Sequence, residues 1–514
     1  MTATVETSKG GLRGVEEDGL FIFRGVHYAR PPVGEMRFRP PEEASPWTGV
    51  RDATQFGSRA MQVPNEALEA ILGRPEGQPP LEEDCLHLNV WTPGLDGKRR
   101  PVMVWIHGGG FAIGAGSDPI YDGRALASRD VVVVTINYRL GPFGFLCVPG
   151  FAASPDEPCA NFGILDQIAA LKWVRSEIEA FGGDSSNVTV FGESAGAMSI
   201  GTLLGSPLAG GLFDKAILQS GAAHQAIGEG LAAKGADEFA QALGISAPDA
   251  ASLRAPPAGA ILEAQAKLEA ESGWAVRRSL GLGLRYQPVI DGRVVPALPI
   301  ESVRRGSSEN VPILIGTTLD EYKLFAALVP RLRDVSEDEA AKRVSYLLPD
   351  RDIERGRYML HAYRLARHSR RERTEPYDLV CAIVTDFVFR VPADRLAEAQ
   401  STQQESVFTY RLDWCSPVGE GILGACHAID VPFVFGTQRL TRRWLGQGDD
   451  VNALARTIGD AWVAFARSGD PRTDALAWPR FEPASRKTMV LDRECRVEVR
   501  PREPERVCWN EIIP

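Results

Sequence analysis

The chain has 514 residues, of which 44% are hydrophobic and 24% charged, a balance that excludes a disordered, collagen-like or coiled-coil protein. Its 57 Lys+Arg against 67 Asp+Glu give a formal net charge of −10. No basic field is therefore present to hold nucleic acid or an anionic membrane, and a small-molecule partner is the default expectation.

The predicted elements begin in earnest near residue 101, where short β-branched runs alternate with helical segments. Segments 102–106, 131–137, 188–191 and 216–219 read as strands without polar alternation, the pattern of strands buried on both faces of a mostly parallel sheet. Segment 161–181 has helical periodicity and ends at Gly182-Gly183, a glycine stop. Between 227 and 274, Ala-, Glu- and Leu-rich stretches broken at Ala255-Pro256-Pro257 predict inserted helices, expected to cap a sheet edge. Further strands are predicted at 312–317 and 407–412, and an amphipathic C-terminal helix at 453–467. The chain lacks repeats, low-complexity tracts and any apolar run near the ~18 residues of a membrane span.

The sharpest motif is Gly192-Glu193-Ser194-Ala195-Gly196, placed directly after one predicted strand and before a helical stretch. A serine on such a turn is held out at the strand's C-terminal edge, and the glycines let neighbouring backbone come close. A hydroxyl is a weak nucleophile, so it needs a base and donors aimed at the developing oxyanion. His107-Gly108-Gly109-Gly110-Phe111 follows the strand 102–106, so the N–H groups of Gly109, Gly110 and Ala195 are candidates for an oxyanion hole. For each motif taken alone, a plain glycine turn is the competing reading.

Seven histidines could serve as base. The chain order of an α/β-hydrolase (nucleophile, acid, histidine) requires one well downstream of Ser194. His361 and His368 lie in an Arg-rich, solvated-looking helix and His224 follows the nucleophile too closely, which leaves His427. The acid is Glu321 or its neighbour Asp320, just past the strand 312–317, and spacing does not separate them.

Over nearly its whole length the chain resembles the type B carboxylesterase/lipase family of α/β-hydrolases, and within it the bacterial para-nitrobenzyl esterases and related carbamate-herbicide hydrolases. The matching blocks include Phe23-Arg24-Gly25-Val26-His27-Tyr28-Ala29-Arg30-Pro31-Pro32-Val33-Gly34, Glu83-Asp84-Cys85-Leu86-His87-Leu88-Asn89-Val90, Asn137-Tyr138-Arg139-Leu140-Gly141, Pro288-Val289-Ile290-Asp291-Gly292 and Phe465-Ala466-Arg467-Ser468-Gly469-Asp470-Pro471. The resemblance implies one α/β-hydrolase domain spanning 1–514, a large mostly parallel sheet flanked by helices, with helical insertions around 225–280 and 320–400 over an active-site gorge. It implies Ser194 as nucleophile, His427 as base, Glu321 as the orienting acid, and Gly109, Gly110 and Ala195 as the oxyanion hole. Glu193 resembles a buried carboxylate beside the substrate, with capping of the turn as its alternative role, and Ser220 resembles a hydroxyl that holds Glu321. Arg37 and Glu83 resemble a structural ion pair.

Some residues depart from the family pattern. Cys85 lacks its usual partner upstream, so no disulfide is expected there, and the absence of a basic-then-apolar leader agrees with a reducing, cytoplasmic location. Loop 63–83 has no tryptophan, which argues against a quaternary-ammonium substrate. Leu282 and Leu284 stand where cholinesterases carry acyl-pocket phenylalanines and, with Phe111, are candidate pocket residues. Asp430 replaces a glutamate after His427 and is a candidate supporting carboxylate. The expected activity is hydrolysis of esters of small to medium uncharged alcohols or phenols, with carbamate or anilide hydrolysis as the alternative and a non-catalytic binding module as a remote one. No cofactor or metal is expected, His427 is expected to act as a neutral base with an apparent pKa of about 6 to 7, and the protein is expected to be a monomer or small homo-oligomer.

Overall fold

The computed structural model describes residues 2–66, 68–69, 77–151, 157–246, 248–270 and 284–513. Thirteen strands form one sheet. They are β1 (Thr2–Thr7), β2 (Gly10–Glu17), β3 (Leu20–His27), β4 (Val50–Asp52), β5 (His87–Thr92), β6 (Arg100–Ile106), β7 (Val132–Ile136), β8 (Gly183–Glu193), β9 (Lys215–Gln219), β10 (Ile313–Thr318), β11 (Val407–Leu412), β12 (Thr488–Leu491) and β13 (Arg496–Glu498). The spatial order is β1-β2-β3-β5-β7-β6-β8-β9-β10-β11-β12-β13, with β4 beside β2. Every pairing from β7 across to β12 is parallel, and both flanks are antiparallel apart from β4, which runs parallel to β2. This is the mostly parallel sheet that the apolar runs imply, and it agrees with the α/β-hydrolase fold that the resemblance implies.

Alternation along these strands shows why their sequences lack polar residues. Val102, Val104 and Ile106 of β6 join one core while Met103 and Trp105 join the core on the opposite face. Val190 and Phe191 of β8, and Leu218 and Ile217 of β9, divide in the same way. A strand with helices on both faces must be apolar at successive positions.

The helices α1 (Phe162–Glu177) and α2 (Ala195–Gly205) build the first core, and α1 passes through a 3₁₀ turn to Gly182, whose φ of 77° ends it as expected. The predicted insertion contains α3 (Glu229–Ala242) and α4 (Ala258–Ala270), with the break at the Pro pair confirmed by a short helix ending at Arg254. It does not cap a sheet edge. α4 packs on the short helix Gly141–Phe145 just beyond the C-terminal end of central strand β7, and Arg37 Nη1 donates to the carbonyls of Arg254 at 2.7 Å and Pro256 at 2.5 Å. The same guanidinium pairs with Glu83, Nε to Oε1 at 2.8 Å, as the resemblance implies. The second insertion is α5 (Tyr322–Ala327), α6 (Glu337–Ser345), α7 (Ile353–Ser369), α8 (Pro376–Thr385) and α9 (Val391–Ser401), with its own apolar cluster closed by Trp509. α10 (Asp449–Ser468) lies in the second core against β6 and β8.

The N-terminal meander β1–β3 is absent from the strands predicted above. Its signal was the pair Asp18-Gly19 between two eight-residue strands, with φ of 51° and 76°, the conformation that Asp-Gly hairpin turns require.

Candidate active site

Ser194 sits between β8 and α2 with φ 55° and ψ −122°, a region forbidden to relaxed L-residues, so the elbow stores backbone strain. The turn is held from both sides. The Ser194 N–H donates to the Gln219 carbonyl at 2.9 Å, and its carbonyl accepts from Met198 at 2.8 Å. The glycines answer a specific need: a Cβ on Gly192 would stand 2.7 Å from the Ile106 carbonyl, and one on Gly196 would collide with the same oxygen. The Gly108 position leaves only 2.7 Å to the Glu193 carbonyl and 3.1 Å to Ser194 Cβ, which brings the glycine loop directly against the elbow.

In that loop Gly109 and Gly110 adopt φ of 100° and 63°. Their N–H groups and that of Ala195 donate to no described backbone or side-chain acceptor, although Ala195 is fully buried. Undonated N–H groups of this kind, one buried and two half-buried, suit an incoming oxyanion. The Gly109 carbonyl accepts from Ala112 and Ile113, both at 3.1 Å, so the loop closes on itself. Phe111, a candidate pocket residue, is instead fully buried in the core with its ring edge-on to Phe145 at 5.0 Å, where it supports the loop from behind. Leu284 does approach the loop, 3.4 Å from where a Gly110 Cβ would stand. Leu282 lies outside the described residues.

His427 and Glu321 are brought together across 106 residues: Nδ1 donates to Glu321 Oε2 at 2.6 Å, and both side chains are buried. The structure separates the two acid candidates. Glu321 Oε1 accepts from the Thr318 N–H at 2.8 Å and its other oxygen faces the ring. Asp320 serves the backbone, accepting from the Ala425 N–H at 3.2 Å and pairing with Lys323 at 3.0 Å. Reciprocal main-chain bonds, Asp320 N–H to Ala425 at 2.8 Å and His427 N–H to Glu321 at 3.3 Å, lace the two loops together. Phe325 and Phe389 flank the imidazole at 5.0 and 4.8 Å.

The far side of the ring differs from expectation. His427 Nε2 is 3.0 Å from Glu193 Oε1, an approach that lacks hydrogen-bond direction, and no hydrogen bond joins Ser194 Oγ to a described residue. Burial disfavours the imidazolium, yet the flanking carboxylates Glu193 and Glu321 outweigh it and push the His427 pKa up to about 10, not the 6 to 7 expected for a neutral base. Burial raises Glu193 as well, with His427 pulling the other way.

One supporting assignment is corrected, and another is given its partners. The Ser220 hydroxyl is buried without a partner and does not hold Glu321; the Thr318 amide fills that role, and Ser220, at φ 53°, spends its own N–H on the Gly316 carbonyl at 2.8 Å. Asp430 does not reach His427. Its Oδ2 accepts from Gln219 at 2.9 Å and Tyr410 at 2.8 Å, and Trp462 Nε1 donates to Gln219 in turn at 3.1 Å. Burial and the nearby Glu193 charge push Asp430 up to about 7. Gln219 lies in the family-like block Gln219-Ser220-Gly221, whereas Tyr410 and Trp462 carried no sequence signal, because long-range packing alone brings them to it.

The chain is similar to several known proteins. The carboxylesterase family model covers residues 1–509. The para-nitrobenzyl esterase of Bacillus subtilis (strain 168) is 40% identical over 507 residues, 98% of this chain and 97% of that one. The phenmedipham hydrolase of Pseudarthrobacter oxydans is 37% identical over 95% of this chain and 94% of its own. Among solved structures, a Geobacillus stearothermophilus carboxylesterase superposes with a TM-score of 0.85 at 39% identity, covering 99% of this chain and all (100%) of that one. Joined to the strained serine elbow and the buried histidine–carboxylate pair, these likenesses establish that the chain belongs to the carboxylesterase family and is a carboxylic-ester hydrolase.

Proposed function

We propose that the protein hydrolyses esters of small to medium uncharged alcohols or phenols through an acyl-enzyme on Ser194, with His427 as base, Glu321 as its orienting acid and Gly109, Gly110 and Ala195 as oxyanion donors. The observation that carries the reading is the buried 2.6 Å His427–Glu321 contact beside a strained serine and three undonated N–H groups. In the reaction, His427 Nε2 leaves Glu193 and takes the Ser194 proton as Oγ attacks the carbonyl carbon. The tetrahedral oxyanion settles on the three N–H groups, and the imidazolium returns the proton to the departing alkoxide. Water then repeats the sequence and releases the acid. Glu193, whose Oε1 lies 3.0 Å from His427 Nε2 in the resting site, contributes a nearby negative charge that favours the imidazolium formed in each half-reaction.

Carbamates are the second reading, favoured by the likeness to a phenmedipham hydrolase. They need the same attack with a poorer acyl electrophile. The eight unpaired cysteines, Cys85 among them, support a reducing, cytoplasmic setting, and among the described residues no helix is long and apolar enough to cross a membrane. One sheet threaded from Thr2 to Glu498 supports treating 1–514 as one domain.

The test is stoichiometric labelling by an organophosphate together with p-nitrophenyl ester turnover. Wild type should label once, at Ser194, and Ser194→Ala should lose ~10⁵-fold or more in turnover. A folded protein that does not label, or an alanine variant that retains a few per cent of its activity, removes the assignment.

A further inference from the structure

We propose that His27, Asp84 and His87 form a binding site for one divalent transition-metal ion, best matched to Zn²⁺. His27 ends β3 and His87 opens β5, and the two are direct partners across that antiparallel pair. Asp84 reaches the same point from three residues upstream of His87. His27 Nε2 lies 3.0 Å from His87 Nε2 and 3.2 Å from Asp84 Oδ1, and the third edge of the triangle, His87 Nε2 to Asp84 Oδ1, is 3.9 Å. Tetrahedral ligands at 2.0–2.1 Å from zinc stand ~3.4 Å apart, so the triangle brackets that spacing on either side. The rings meet at 67° with centroids 4.1 Å apart, and closing on an ion requires a small outward swing of His27, whose side chain is 30% exposed.

Two features of chemistry select the ligand. Both rings turn Nε2, and Asp84 turns Oδ1, toward one point, so three donor atoms converge there once a metal displaces any proton held between the rings. Two imidazoles and one carboxylate suit zinc-like ions rather than calcium or magnesium, which prefer all-oxygen shells. With Asp84 at 37% exposure the remaining position opens to solvent for a water ligand. Nothing local announces the site, since His27 and His87 are 60 residues apart and meet only through strand pairing.

The ion would brace the scaffold and take no part in ester cleavage. Gly57 packs directly on the His87 ring, where a Cβ would stand 2.6 Å from Cγ, and the segment continues to Gln62. Gln62 exchanges two hydrogen bonds with Gly114, at 3.0 and 2.9 Å, at the end of the loop that carries Gly109 and Gly110.

The experiment uses the full-length protein, stripped with a chelator and titrated with ZnCl₂ by calorimetry and thermal melting, with Co²⁺ absorption as a spectroscopic check. One equivalent should bind, the melting temperature should rise, and His27→Gln and Asp84→Asn should each weaken binding by about 100-fold while ester turnover is kept. Cobalt should give nitrogen and oxygen ligand-field bands without thiolate charge transfer. Absence of saturable binding, binding unchanged in both variants, or a thiolate signature each overturns the proposal. Because the wild-type stoichiometry and spectrum are read independently of the variants, a variant that fails to fold does not shelter it.

Discussion

The C-terminal edge of the central sheet and the helical cover above it are built to opposite tolerances. At the sheet edge, Gly108, Gly192 and Gly196 leave no room for a Cβ, Ser194 is strained, and Glu193, Glu321 and His427 are all at most 5% exposed. In the cover, α3 buries four residues of its 14, among them only one large side chain, Phe239, while Leu231 is 61% exposed. Chemistry is placed where close backbone packing dictates atomic positions. The cover's exposed side chains can change without disturbing that edge.

The contrast can be broken most sharply at the edge. Glu321→Gln should lower kcat by about 10⁴-fold with a folded protein, because the amide can donate to Nδ1 and stabilise the wrong tautomer; a loss of less than tenfold would show that Thr318 and the loop lacing position the imidazole without the carboxylate. Gly196→Ala should cost on the order of 3 kcal/mol in chemical denaturation and take most of the activity with it, since the new methyl meets the Ile106 carbonyl and cannot rotate away. Retention of both would show that the elbow can relax. Glu193→Gln should move the acidic limb of the kcat/KM profile down by about one pH unit or more. The sign follows from the base having to be neutral: a raised His427 pKa delays activity to higher pH, and removing one of the two anions that raise it lets the neutral ring form sooner. An unmoved limb would put Glu193 outside the titration. At the other extreme, Leu231→Lys on the cover should change stability by less than ~0.5 kcal/mol and leave ester turnover intact; a large effect would mean that this face packs against something.

The same contrast governs what could be read from the sequence. Strands β6 to β11 were legible because two-sided burial writes itself as unbroken apolar runs, and the elbow and glycine loop because close backbone approach admits only glycine. His427 was reached by elimination and chain order, and Glu321 was separated from Asp320 only by resemblance until the Thr318 amide and the Ala425 amide were seen to claim one carboxylate each. Phe111 was misplaced because an aromatic residue beside an active-site loop has the same sequence signature whether its ring faces the cavity or the core. Ser220, Asp430 and the Glu193 contact could not be settled, since each depends on which side chains meet across separate strands. The N-terminal meander, by contrast, carries a local signal, for Asp18-Gly19 marks its turn plainly.

The lacing of 320–321 to 425–427 has a consequence for how such an enzyme can change. The acid and the base are 106 residues apart in the chain, yet their separation in space is set by a handful of main-chain and carboxylate contacts beside the sheet. The intervening helices α5 to α9 are, for the purposes of the triad, a long detour whose two ends are tied together. Segments within that detour can lengthen or shorten with the acid-to-base distance unaltered, so this region is free to diverge by insertion and deletion, not only by substitution.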